Sequence, residues 1–262
     1  MKATQYFIST LRDAPNDAVI ASHQLMMKSG MLRKLGNGLY SYMPMGLRSF
    51  NKVSQIIREE LDAAGCMEMK VSVIQPGEIW KESGRWDKMA GEMLTPQNRG
   101  GQDMVVSPTA EEGFTALVRE GLSTYKQLPF TLYQINTKYR DEIRPRYGVM
   151  RGREFIMMDA YSFDKDEEGM KKSYEKMHDA YMNIFKRLGI PIIPTVSDNG
   201  TMGGKVSEEF QAITKLGEDI ILYDKESNIQ RNNNDYFNLL TAKRVEYLSN
   251  KSYEDDICTI LY

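Results

Sequence analysis

Hydrophobic positions between Gly46 and Gly65 recur at three- and four-residue intervals. Leu47, Phe50, Val53, Ile57, Leu61 and Ala64 share one side, and Arg48, Lys52, Arg58, Glu59 and Asp62 take the other. That period predicts an amphipathic helix, with Pro44 just before it and Gly65 as its stop. The pattern then switches to alternation. Met67, Met69, Val71 and Val73 fall opposite Glu68, Lys70 and Ser72, which predicts a half-buried strand over Met67–Ile74 ended by Pro76. Phe114, Leu117, Val118 and Leu122 mark a second helix. Tyr174, Met177, Tyr181, Ile184 and Leu188 mark a third, closed by Gly189. Phe130–Tyr139 and Phe155–Phe163 read as strands joined by an arginine-rich loop. Strands on short connections with long helices elsewhere imply an α+β fold, an antiparallel sheet flanked by helices.

The chain has 262 residues, enough for one to two domains with a sizeable core. At 41% hydrophobic and 27% charged it is not a disordered polymer. A net charge of −2 gives no global field that would draw nucleic acid or a membrane, so a local patch must hold any such partner. Two cysteines (Cys66, Cys258) and two histidines (His23, His178) supply neither a CxxC pair nor an obvious zinc cluster. With no secretory segment and no long apolar run, a reduced, cytoplasmic setting without a membrane partner is expected. Composition changes late in the chain. All 18 methionines lie at or before Met202, whereas 224–262 holds six asparagines and neither glycine nor proline. A boundary is therefore placed near residue 224, separating 1–223 from 224–262.

Three stretches can carry chemistry. Lys138–Phe155 (KYRDEIRPRYGVMRGREF) has six basic and three acidic residues, a local charge of +3 in an acidic chain. Arg140 and Glu142, two apart at a strand end, are expected on one face. Arg151, Arg153 and Phe155 share parity if the returning strand begins at Arg151. Such a hairpin can set guanidinium forks around phosphate oxygens and a ring against a base, although a solvated tip with surface ion pairs has the same composition. In Ser107–Glu112 (SPTAEE), Thr109 and Glu112 have capping-box spacing and Glu111 suits a first helical turn. A functional reading needs Glu111 to face a cavity and accept from a ligand ammonium. In Gly203–Gln211 (GGKVSEEFQ), two glycines allow close approach of backbone to a ligand, or a simple turn. No Walker or dinucleotide glycine motif occurs, and neither histidine sits in a nucleophilic arrangement.

Taken in order, the segments resemble the N-terminal portion of the bacterial-type prolyl-tRNA synthetases, a class II aminoacyl-tRNA synthetase family, over roughly 1–223. Met43 to Pro76 (MPMGLRSFNKVSQIIREELDAAGCMEMKVSVIQP) resembles its first motif, the helix and strand of the dimer interface. SPTAEE resembles its amino-acid-binding TxE loop. YRDE followed by RGREF resembles its second motif. The resemblance implies a class II catalytic core acting as a proline–tRNA ligase. That enzyme makes prolyl-adenylate from proline and ATP and transfers the prolyl group to tRNA(Pro), as a homodimer. It implies that Arg140 bridges the ATP α-phosphate and the substrate carboxylate. Glu142 would accept from the adenine amino group, Arg151 would reach the distal phosphates, and Phe155 would stack on adenine. Thr109 and Glu111 would hold the prolyl nitrogen, and Gln211 would line the nucleotide side. Mg2+ is implied by the ATP chemistry, with no ligands assigned to it.

The resemblance also marks departures. The family's third motif, a glycine-rich strand and helix carrying an arginine, and its anticodon-binding domain find no counterpart. Residues 224–262 fall where many members begin an inserted editing domain. A non-catalytic, truncated or paralogous module for dimerisation or ligand binding is therefore the alternative. The nearest enzyme alternative, threonyl-tRNA synthetase, uses a zinc site that this cysteine and histidine inventory does not match.

Overall fold

The computed structural model describes residues 2–197, 207–214 and 217, together with the backbone of 219–223, 230–232 and 258–261. The paired glycines Gly203 and Gly204, and most of 224–262, lie outside the described residues. Contacts divide the chain into two units between Ala180 and Tyr181.

In the first unit, β6 (Phe130–Tyr139) and β7 (Glu154–Phe163) pair antiparallel along their whole length, from Phe130 opposite Phe163 to Tyr139 opposite Glu154. Both fall within a residue of where alternation predicts them. The returning strand does not begin at Arg151, as the parity argument assumed. Arg151 is instead bridged to Arg146 across the loop, and the ladder resumes at Glu154. The strand expected over Met67–Ile74 also differs. It splits into β3 (Met67–Glu68), which adds to β6 in parallel, and β4 (Ile74–Pro76), which pairs with β5 (Met104–Val106). The cause is side-chain competition. Gln134 Oε1 accepts from the Val71 amide (3.1 Å) and Asn136 Nδ2 donates to the Val71 carbonyl (2.8 Å), leaving that backbone nothing to offer a strand.

The pleat sorts the sheet into two faces. On one, Tyr133 is fully buried with Leu61 of α2 (Pro44–Ala63), Cys66, and Ala180 of α5 (Glu167–Leu188). Each large apolar side chain buried there contributes on the order of 1.5–3 kcal/mol. Tyr133 also donates to Asp62 at 2.9 Å, which ties α2 to the sheet. The other face carries Leu132, Gln134, Asn136 and Lys138, with Phe155, Met157, Asp159 and Tyr161 opposite them. Against it lies α4 (Glu111–Gly121), whose Phe114 meets the Tyr161 ring at 4.4 Å between centroids. The stripe predicted on α2 divides its work. Ile57, Leu61 and Ala64 join the core, while Leu47 and Val53 remain exposed.

Between them, α1 (Ala21–Lys28) and the hairpin β1 (Leu32–Gly36)/β2 (Leu39–Tyr42) brace the arginine-rich loop. At the hairpin turn Gly38 has φ +73°, and a Cβ there would lie 2.7 Å from Pro145 Cβ. Its carbonyl accepts from the Arg153 amide at 2.8 Å. Only glycine meets both demands without strain.

In the second unit, β8 (Ile192–Val196) pairs antiparallel with β9 (Glu208–Ile213). With the backbone of β10 (Asp219–Tyr223), β11 (Gln230–Asn232) and β12 (Cys258–Leu261) they close in the order β10-β11-β8-β9-β12. Phe210 packs edge-on to Tyr181 at 5.4 Å.

Candidate functional site

The site is built on the polar face of the β6–β7 pair. Lys138 and Asp159, exposed by 1% and 9%, form an ion pair at 2.9 Å. Gln134 Nε2 donates to Asp159 Oδ2 at 2.9 Å, and the Tyr161 hydroxyl donates to the same oxygen at 2.6 Å. The Tyr161 oxygen in turn accepts from the Ala110 amide at 3.0 Å. Burial first, then the nearby Glu111 and Asp159 charges, pushes the Tyr161 phenol far above its ordinary range, so it remains a donor. A chain of hydrogen bonds thus runs from the sheet to the loop that holds Thr109 and Glu111.

That loop is not the capping box its spacing suggested. Ala110 is the N-cap residue of α4, and no side chain caps it. The Thr109 hydroxyl donates instead to Glu111 Oε2, two residues on. Glu112 turns inward, where Ser83 Oγ donates to it at 2.9 Å and Arg85 Nη1 at 3.1 Å. The same Arg85 nitrogen stands 3.2 Å from Glu111 Oε2. The Glu111 carboxylate retains 39% exposure, and among the described residues no hydrogen bond reaches its Oε1. Among the described residues, Lys138 pairs with Asp159, and Arg85 stands against both Glu112 and Glu111. Glu111 Oε1 remains an open acceptor among them, which suits a ligand cation.

Arg140 continues the parity of Lys138 past the end of β6. Its amide donates to the Arg153 carbonyl at 2.8 Å and its Nε to the Pro108 carbonyl at 3.3 Å. Its guanidinium carbon lies 5.5 Å from the Phe155 ring centre. Past β6 the backbone turns, the Glu142 amide donating to the Arg140 carbonyl at 2.7 Å, so the extended alternation behind the expected shared face does not hold there. Glu142 Oε1 accepts from the Arg144 amide at 2.9 Å and its Oε2 from Arg151 Nε at 3.0 Å. The Arg144 amide, and after it Arg151, hold the Glu142 carboxyl below the usual range. Arg153 Nε closes the loop on the Glu142 carbonyl at 3.0 Å. Gln211 belongs to β9 of the second unit. Its Nε2 donates to Glu209, and its buried Oε1 has no hydrogen-bond partner among the described residues.

His23 was not a site candidate, yet it supports this loop. Its ring is 3% exposed, meets Tyr40 edge-on at 5.5 Å, and lies where a Cβ on Gly148 would come within 2.8 Å of Cδ2. Gly148 has φ +68°, so the loop turns directly over the imidazole. Nδ1 is buried with no hydrogen-bond partner among the described residues, and burial lowers the pKa below 6.5, against the raising effect of Asp17 and with the lowering effect of Lys34. A depressed pKa means the unfolded chain takes the proton first. His23 therefore contributes stability that is complete above pH 6.5 and lost as pH falls through the folded-state value. Urea midpoints measured from pH 7.5 to about 5 should show an acid-side decline that His23→Leu reduces. An unchanged decline in the variant would place its origin elsewhere.

Among the described residues, no group of three or more His, Cys, Asp or Glu side chains could hold a metal, and no helix is long and apolar enough to cross a membrane. Residues 94–256 match the model of the tRNA synthetase class II core domain (G, H, P, S and T). Curated relatives bear the name proline–tRNA ligase. The chain is 56% identical over 232 residues to that of Ralstonia pickettii (strain 12J), covering 88% of this chain and 40% of the relative. It is 55% identical over 222 residues to that of Treponema denticola, covering 85% and 37%. The chain thus spans about two fifths of the length of the relatives it matches.

Proposed function

This chain belongs to the class II tRNA synthetase core family (G, H, P, S and T), and we propose that it activates proline with ATP for transfer to tRNA(Pro). The observation that carries the reading is the Glu111 Oε1, open among the described residues, beside the Thr109 hydroxyl. Thr109 spends its proton on Glu111, so its oxygen is an acceptor towards any ligand. A secondary ammonium has two N–H bonds, one for Thr109 Oγ1 and one for Glu111 Oε1. Proline is the amino acid with that nitrogen.

Arg140 stands on the same strand edge as this loop, bonded to Pro108, one residue before Thr109. There its guanidinium would receive the proline carboxylate and the ATP α-phosphate together. Attack of a carboxylate oxygen on the α-phosphorus forms the mixed anhydride, and pyrophosphate leaves with the bonding electrons. No side-chain nucleophile is needed, only alignment and charge. The hydroxyl of the terminal tRNA ribose then attacks the carbonyl, and AMP departs. Phe155 would stack on the adenine. Glu142, whose oxygens each keep a lone pair beyond the Arg144 and Arg151 bonds, would accept from the adenine amino group. Arg151 would turn from Glu142 to the distal phosphates. Mg2+, implied by the ATP chemistry, would offset charge on the triphosphate; among the described residues no group of three or more His, Cys, Asp or Glu side chains is set to hold it. The segment boundary near 224 and a cytoplasmic setting belong to the same reading.

Calorimetric titration of proline tests it. Glu111→Ala should weaken binding by about 2–5 kcal/mol, the usual effect of truncating one partner of a hydrogen-bonded charge pair. Unchanged affinity would leave Glu111 as an ordinary first-turn residue. Homodimerisation is part of the proposal, supported by exposed Met45, Leu47, Val53, Met67 and Ile74 on and beside α2. A two-fold contact can bury such a strip against its own copy. Sedimentation over a concentration series should give a defined dimer, and a monomer at micromolar concentration would refute it.

A further inference from the structure

The Arg85 guanidinium lies at the junction of two adjacent carboxylates, one buried and one open. Nη1 stands 3.1 and 3.3 Å from the two oxygens of Glu112, whose side chain is 2% exposed. It stands 3.2 Å from Glu111 Oε2, the oxygen that also takes the Thr109 proton. Both restraints therefore act on one oxygen and leave the other open. Arg85 is itself held in place. Its guanidinium carbon lies 5.7 Å from the ring centre of Trp80, which is fully buried and anchored through Nε1 to Gln75 Oε1 at 3.0 Å. A planar guanidinium over an aromatic face keeps an orientation that an ammonium on a flexible stem does not.

We propose that Arg85 is a positioning residue for the amino-acid site, acting through Glu111 Oε2 so that Oε1 is presented to the ligand nitrogen, with Glu112 as its buried counter-charge. This rests on the reading of Glu111 as the acceptor for proline. Glu111 is otherwise a partly exposed residue with three rotatable bonds, and holding it beforehand removes an ordering cost from ligand binding. Glu112 offsets the arginine charge, so the positive end does not cancel the carboxylate that the ligand needs. The device lies 26 residues upstream of Glu111 and touches no reacting atom.

Arg85→Ala alone strands the Glu112 carboxylate in the interior, so the test uses Arg85→Ala/Glu112→Gln, which removes both charges, and Arg85→Lys as the conservative partner. Two readouts are taken on the same chain. Calorimetry gives proline and ATP affinities, and three-bond couplings to Glu111 Cγ report whether χ1 occupies one rotamer or several. The double variant should bind proline roughly tenfold more weakly while ATP affinity stays within about twofold, with Arg85→Lys between it and wild type. Its Glu111 couplings should move from a single rotamer to an average. Unchanged couplings overturn the proposal whatever the ligand data show, and so does unchanged proline affinity. Should wild type bind no proline while the couplings still average in the double variant, the functional reading fails and the positioning role of Arg85 stands.

Discussion

Replacing Asp159 by alanine is expected to lower the unfolding free energy by about 3–5 kcal/mol, a large effect for a single site. The reason is what remains behind. Lys138 is 1% exposed, and without its partner an ammonium is left in the interior. Gln134 Nε2 and the Tyr161 hydroxyl lose their shared acceptor in the same step. Pairing Lys138→Met with Asp159→Asn should recover at least half of the loss, because the charge is gone and the amide oxygen can still accept. Urea denaturation of the two variants beside wild type measures this. A loss below about 1 kcal/mol for Asp159→Ala would mean that the network is not dry. The Ala110 amide hangs from Tyr161, so the same substitution should also loosen the loop that carries Thr109 and Glu111.

The largest expected effect on chemistry is at Arg140. Arg140→Ala should reduce proline-dependent ATP–pyrophosphate exchange by roughly 10²–10³-fold, the range seen when one preorganised stabiliser of developing charge is removed. Stability should change by less than about 1 kcal/mol, since the side chain is only half-buried and, among the described residues, it reaches one carbonyl and one ring. Arg140→Lys should not restore the rate, because a single ammonium cannot hold a carboxylate and a phosphate in a fixed fork. Full activity in either variant would remove Arg140 from the proposed mechanism.

The two long strands and three main helices were legible because each has a strong period of its own. What periodicity missed was competition from elsewhere in the fold. Met67–Ile74 alternates well, yet it breaks at Val71, where Gln134 and Asn136 take the backbone groups that a ladder needs. Thr109 and Glu112 have capping-box spacing, yet Glu112 is drawn inward by Arg85 and Ser83. One further signal lies within the strand itself. Gln134, Asn136 and Lys138 alternate through the middle of a strand, with Asp159 and Tyr161 at matching parity on its partner. A polar stripe inside a buried strand must be satisfied internally, and here it forms the floor of the site. Arg85 had no such signature. It sits in an irregular stretch and reaches the carboxylates through tertiary folding alone. The family resemblance marks Thr109, Glu111, Arg140 and Phe155 as candidate ligand contacts. The residues that hold them had to be found in the structure.

ATP–pyrophosphate exchange, run on this chain with each of the twenty amino acids in turn, is the most direct measurement of whether these residues form a proline-activating site. Label should exchange with proline well above the rate without amino acid, falling sharply in both Glu111→Ala and Arg140→Ala. Exchange supported by threonine or another primary amine in place of proline, or by no amino acid at all, would contradict that expectation.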